Sequence, residues 1–220
     1  MFTLYWEYMA GSIVVQATLE ALNADYRMEY VDMVAREHLA PDFLSLNPAG
    51  KVPALTFPDG TAIGETAAIV TLLGELHASS SITPQPGDPD RGTFLYWLNV
   101  MTTAGYLTAG RVGHPERYVQ TDDAVAQVKE RADKDFAAFF GLMNEAIAGD
   151  VFLLARGLTA LDFYVTMLSE WVSDREALLK ELPRLNALCI AVQEIPAYRT
   201  ALDTHRLPAL DASGYIDSVK

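Results

Sequence analysis

Cysteine is nearly missing from this chain: Cys189 is the one thiol among 220 residues. An intrachain disulfide is therefore impossible, and a reducing compartment, the cytoplasm, is the expected location. Positive charge is also scarce. Sixteen Lys and Arg face 29 Asp and Glu, a formal net charge of −13. Such a surface is repelled by nucleic-acid phosphates and anionic lipid, so neither is an expected partner. The four histidines, His38, His77, His114 and His205, are scattered without ligand spacing, and no metal site is expected. No apolar run approaches the roughly 20 residues that span a bilayer. The opening stretch MFTLYWEYMAGS lacks the basic and long apolar regions of a secretory signal, so none is expected.

What is present divides in two. FTLYW reads as a short strand, SIVVQATLEAL as a helix with Ser12 as N-cap, and YRMEYVDM as a second strand. Strand, helix, strand over some 30 residues is a βαβ unit with a parallel pair. After a polar segment containing Pro41, VPALTF, the turn PDG and TAI form a hairpin, and GETAAIVTLLGELH is a strong helical pattern. The first unit is thus expected to run β-α-β-α-β-β-α. The segment Ala78 to Asp90, with three serines and three prolines, reads as a linker, and everything beyond it has helical periodicity. The expected boundaries are 1–78 for the α/β domain, 79–89 for the linker, 90–208 for an all-helical domain and 209–220 for a polar tail. Cys189 falls on an apolar helical face and reads as an inert core thiol.

Pro53, in NPAGKVPALTFPDG, sits oddly. A proline at the start of an otherwise buried strand cannot donate to the ladder, so it belongs on an edge or at a special backbone site. Glu65 and Thr66, at the start of the third helix, are ordinary helix openers, yet backbone N–H groups, a threonine hydroxyl and a helix dipole also make a carboxylate cradle.

The run NPAGKVPAL, followed by GETAAI, resembles the Asn-Pro-x-Gly-x-Val-Pro-x-Leu signature of the bacterial-type cytosolic glutathione S-transferases, a likeness that extends over roughly residues 1–208. The resemblance implies a thioredoxin-like first domain, an all-helical second domain and a cis bond before Pro53. The outward-facing N–H and C=O of Val52 would then take the cysteinyl unit of glutathione as an added antiparallel strand. Glu65 and Thr66 would hold the γ-glutamyl end, and His38 with Lys51 the glycyl carboxylate. Leu39 stands where plant-type relatives have a lysine. Thr159 and Asp162, in TALDFYV, match the family's structural capping box at its core helix.

A glutathione transferase favours thiolate over thiol through a donated hydrogen bond and the positive end of a helix. The loop YWEYMAGSIVV has no cysteine, which makes the thiol-exchange branches of the family unexpected, and Met9 stands where many members carry a catalytic serine. Ser12 is the first candidate donor and Tyr8 the second; counted from the strand, Tyr5 takes that position. Ser12 is equally an N-cap and Tyr5 a core strand residue. Met9, Met101, Thr102 and Tyr106, with Leu107 beside them, would border a hydrophobic substrate pocket. The resemblance further implies a homodimer. The expected activity is conjugation of the glutathione thiolate to a small hydrophobic electrophile. The alternatives are a non-catalytic glutathione-binding module of the same fold and a glutathione-dependent isomerase, whose doubled-serine-plus-cysteine signature is absent near residue 12.

Overall fold

A computed structural model describes residues 1–206. The expected tail 209–220, and residues 207–208 before it, lie outside the described residues. Contacts divide the chain into one unit of Met1–Thr83 with the segment from Glu194, and a second of Pro84–Gln193.

The first unit holds β1 (Phe2–Trp6), α1 (Ser12–Ala21), β2 (Tyr26–Tyr30), a 3-10 turn (Glu37–Leu39), α2 (Pro41–Leu46), β3 (Ala54–Thr56), β4 (Ala62–Gly64) and α3 (Thr66–Leu76), with α10 (Pro196–His205) added from the far end of the chain. The sheet order is β2-β1-β3-β4. β1 pairs parallel with β2 and antiparallel with β3, and β3 pairs antiparallel with β4. This is the expected β-α-β-α-β-β-α order in a thioredoxin-like arrangement.

Alternation along β1 decides the two faces. Phe2 and Leu4 point to a core shared with Val15, Leu19, Leu55, Ile69 and Leu73. Tyr5 points the other way, against a smaller cluster of Val31, Phe43, Val52 and Ala54. The first helix carries β-branched Ile13, Val14 and Val15, which have modest helix propensity, but all three are fully buried. Burial of each is worth about 2 kcal/mol, several times the propensity deficit, so packing wins. The hairpin turns at Gly60, with φ 89°, and the Asp59 carboxylate accepts from the N–H and hydroxyl of Thr61. These bonds hold the Asp59 pKa below its ordinary value.

The second unit contains α4 (Arg91–Val100), a π-helical turn (Met101–Tyr106), α5 (Leu107–Gly113), a 3-10 turn (Pro115–Arg117), α6 (Asp122–Ala146), α7 (Ala160–Glu170), α8 (Arg175–Glu181) and α9 (Pro183–Gln193). Asp122 and Asp123 lie in the first turn of α6, behind a Thr121 N-cap. α7 is buried from Ala160 to Ser169 and opens on the reciprocal capping box of Thr159 and Asp162. Asp162 also accepts from Leu153 N–H at 2.8 Å. Burial raises its pKa to about 6, against the lowering effect of these hydrogen bonds.

Several elements differ from the sequence reading. Ser12 is the first residue of α1 rather than its N-cap; Gly11 precedes the helix, and no side chain caps it. α8 is a seven-residue helix behind an Asp174 cap. The helical pattern beyond the linker is not α throughout: at Met101–Tyr106 it widens into a π-helical turn. There the Thr102 and Thr103 hydroxyls donate to the carbonyls of Leu98 and Asn99, four residues back, a pattern that bends helices. The segment read as a linker is tied down: Arg156 pairs with Asp88 and Asp90 at 3.0 and 2.8 Å.

Candidate functional site: a peptide edge beside a helix N-terminus

The Val52–Pro53 peptide bond is cis. Val52 is buried by its side chain, yet neither its N–H nor its C=O has a hydrogen-bond partner among the described residues. The hairpin register then does the assembling. Ala54 pairs with Gly64, so continuing the ladder sets Pro53 beside Glu65 and Val52 beside Thr66. Two motifs a dozen residues apart in sequence become neighbours because an antiparallel hairpin folds one back on the other.

Glu65 has φ 66° and ψ 112°, a conformation that non-glycine residues rarely adopt and that clusters at ligand sites. Its side chain is exposed, and Thr66 is nearly buried with no hydrogen-bond partner for its hydroxyl among the described residues. α3 has no side-chain cap, and its first turn begins with Glu65 C=O accepting from Ile69 N–H at 3.0 Å. A missing cap forgoes about 1 kcal/mol. Ile69, Val70 and Leu73 are fully buried on the same helix and supply several times that, about 2 kcal/mol each. The helix therefore holds without a cap, and its leading N–H groups stay free for an anion.

Asn47 fastens this edge from behind. Its side-chain amide donates to Lys51 C=O at 2.7 Å, and its carbonyl oxygen accepts from Ala49 N–H at 3.2 Å. It also lies flat against Gly64, where a Cβ would come within 2.5 Å of Nδ2. Gly50, φ 58°, packs beneath the Glu37–Leu39 turn, where a Cβ would come within 3.3 Å of His38 C=O. That contact sets the His38 backbone against Gly50, the neighbour of Lys51 in the chain. Lys51 is exposed, and His38 Nδ1 is buried with no hydrogen-bond partner.

The β1–α1 loop is built differently. Glu7 accepts from Tyr8 N–H at 2.7 Å through one carboxylate oxygen and from Met33 N–H at 3.1 Å through the other. Burial, and then the neighbouring Glu7 carboxylate, push the Tyr30 phenol pKa upward. Met9 has φ 45°, and its N–H donates to His205 C=O at 3.0 Å. Ser12 is fully buried; its hydroxyl lies 3.4 Å from both Glu7 C=O and His205 Nδ1. The Tyr8 ring is half-buried, edge-on to Trp6 at 5.0 Å and tilted against Tyr30 at 5.5 Å. Tyr5 packs edge-on to Phe43, in the cluster that contains Val52 and Ala10.

In the second unit, Met101 is fully buried, Thr102 is engaged with Leu98 C=O, and the Tyr106 ring meets Trp171 edge-on at 5.0 Å. Leu107 is exposed. Cys189 is buried 3.7 Å from the Ser169 hydroxyl, and burial raises its thiol pKa. Among the described residues no group of three His, Cys, Asp or Glu side chains converges as metal ligands would, and no helix is long and apolar enough to cross a membrane.

Sequence reasoning passed over Glu7 and His205. Glu7 offered one signal, a lone carboxylate inside the aromatic run YWEYM. His205 offered none, since it lies at the far end of the chain.

A thioredoxin-like sheet with a cis-proline beside an uncapped helix start, followed by a helical unit, is the fold that comparison with known proteins also finds. Residues 12–76 match the family model "Glutathione S-transferase, N-terminal domain". The chain is 24% identical over 208 residues to glutathione S-transferase GstA of Escherichia coli O157:H7, covering 93% of this chain and 98% of that one. A glutathione transferase homologue from Sulfitobacter, solved with bound glutathione, superposes with TM-score 0.85 at 19% identity, covering 94% of this chain and 99% of that one. A glutathione transferase from Methylococcus capsulatus superposes with TM-score 0.78 at 26% identity, covering 93% and 98%. The likeness to these proteins runs over nearly the whole chain, and the family model over its first domain.

Proposed function

We propose that this protein is a glutathione transferase that joins the glutathione sulfur to a small hydrophobic electrophile. The observation that carries the reading is the hairpin register that places the open Val52–Pro53 edge beside Glu65 and Thr66. Glutathione is an extended peptide with a carboxylate and an ammonium group at its γ-glutamyl end and a carboxylate at its glycyl end. Val52 N–H and C=O pair with the cysteinyl unit. The Thr66 hydroxyl and the first turn of α3 take the γ-glutamyl carboxylate, and Glu65 takes the ammonium. His38 and Lys51 face the glycyl carboxylate, supplying local positive charge to a protein of net charge −13. The Sulfitobacter relative's bound glutathione supports the same ligand here.

The sulfur falls toward the β1–α1 loop, where α1 contributes the positive end of its dipole. Tyr8 is the hydroxyl donor this geometry favours, because Ser12 is buried and turned toward Glu7 and His205. Thiolate attack forms a sulfur–carbon bond, and the acceptor expels its leaving group or takes up a proton. A homodimer is supported by Leu72 and Leu76, exposed on α3, and a cytoplasmic setting by the lone buried thiol.

Calorimetry with glutathione, and turnover of a chlorinated nitrobenzene, test the reading. Micromolar-to-millimolar binding with turnover is expected, and Tyr8→Phe should lower kcat about a hundredfold while leaving affinity unchanged. Absence of any glutathione binding would sink it. A second reading, a glutathione-binding module without catalysis, draws on the burial of Ser12 and the apolar Met9 in the loop. Binding without turnover on any electrophile would establish that reading instead.

A further inference from the structure

His205 ends α10, and among helix termini it is unusual in facing inward: it is fully buried. Its surroundings are the β1–α1 loop. The last carbonyls of a helix lack intrahelical donors, and His205 C=O accepts a hydrogen bond from Met9 N–H at 3.0 Å. Its Nδ1 lies 3.2 Å from Glu7 C=O and 3.4 Å from Ser12 Oγ. A carbonyl only accepts, so Nδ1 carries the hydrogen and donates to Glu7. Nε2 is then a bare acceptor, and it is buried with no hydrogen-bond partner. The Trp6 ring meets the imidazole edge-on, with centroids 4.8 Å apart. Three kinds of contact thus run from one residue of α10 to Trp6, Glu7, Met9 and Ser12.

We propose that His205 is a positioning residue, which holds the β1–α1 loop in the shape that presents Tyr8 to the glutathione sulfur. The proposal rests on the glutathione transferase reading for its sulfur chemistry, but the clamp itself is a property of the loop. The loop contains a non-glycine residue at positive φ, Met9, a conformation that persists only where surrounding contacts enforce it. The contact on Met9 itself comes from α10, through His205 C=O. The glutathione edge at Val52 and Thr66 makes no use of them, so affinity and sulfur activation are held by separate parts of the unit.

The test compares His205→Asn, His205→Gln and His205→Leu in the full chain. An asparagine amide reaches the Nδ1 position, whereas a glutamine amide reaches the Nε2 position. His205→Asn should keep the parent's amide-exchange protection over Glu7–Ser12 and its ionisation of bound glutathione, followed by thiolate ultraviolet absorbance. His205→Gln and His205→Leu should speed exchange over that segment about tenfold. They should also raise the bound thiol pKa by about one unit and lower kcat about tenfold, with glutathione affinity within about twofold of the parent. If His205→Leu does not fold, the Asn and Gln pair decides. Unchanged exchange and thiol ionisation in His205→Gln, or equal damage in His205→Asn, would overturn the proposal. If the parent binds no glutathione, the function reading fails, and the exchange comparison still decides the clamp.

Discussion

The two loops that meet at this site owe their shapes to different ranges of interaction. Val52–Thr66 is self-organised: one hairpin, one Asn47 side chain and one glycine bring its binding groups together, all within twenty residues. Glu7–Ser12 has no such local frame. Its Glu7 carboxylate reaches across to Met33, and its backbone and Ser12 hydroxyl are met by His205 from the last described helix. On the proposed function, recognition of the peptide would rest on short-range geometry, and activation of its sulfur on long-range packing. Changes to one loop should therefore leave the other's property largely intact.

The largest expected effect separates the loops by pH. Burial lowers the His205 pKa from 6.5 to about 4, despite the opposing hydrogen bond to Glu7 C=O. The neutral form is favoured in the folded state, so the unfolded chain takes up a proton that the folded chain refuses. Stability is full above pH 6.5 and is lost as pH falls toward 4. The wild type should lose about 3 kcal/mol over that window relative to His205→Asn, which cannot titrate there. Denaturant titrations of both proteins at several pH values measure the difference, and parallel curves would contradict it.

Gly64→Val comes next. Its Cβ would meet Asn47 at 2.5 Å, so the hairpin or the Asn47 loop must move. A loss of about 2 kcal/mol is expected, together with most of the glutathione affinity. Thermal melts and calorimetry check it, while amide exchange over Glu7–Ser12 should be unaltered in the folded protein. Thr66→Ala is milder: one hydrogen bond to a carboxylate is removed at the uncapped start of α3. Affinity should fall about tenfold with the thiol pKa of bound glutathione unmoved. A parallel shift in both quantities would show the loops to be coupled. The smallest effect belongs to Ser12→Ala. Contacts of 3.4 Å are long for a hydroxyl, so the stability change should stay below about 1 kcal/mol and turnover should persist. Abolished turnover would return Ser12 to the role of hydrogen-bond donor to the sulfur.

Much of this was legible in the chain. Hydrophobic period separated strands from helices, Asp59-Gly60 marked the hairpin, and the Asn47-to-Leu55 run with Glu65-Thr66 marked the binding edge. Each of these signals acts between residues close in sequence. What escaped was of another kind. The π-helical turn at Met101–Tyr106 arises where threonine hydroxyls bond back to earlier carbonyls and where Gly105 has no room beside Leu168 and Phe139. Ser12 has the composition of a helix cap and lies one residue inside the helix.

By itself, then, the sequence determined the order of elements, the place of Pro53 at the start of a strand and the hairpin that follows it, because turn chemistry and side-chain alternation are local signals. Only the tertiary structure decided which hydroxyl of the β1–α1 loop is buried and which is presented. That choice depends on α10 packing against α1 and delivering His205 to Glu7, Met9 and Ser12. No local pattern encodes a contact between residues nearly two hundred positions apart, since it exists only once both helices have buried their shared apolar surface.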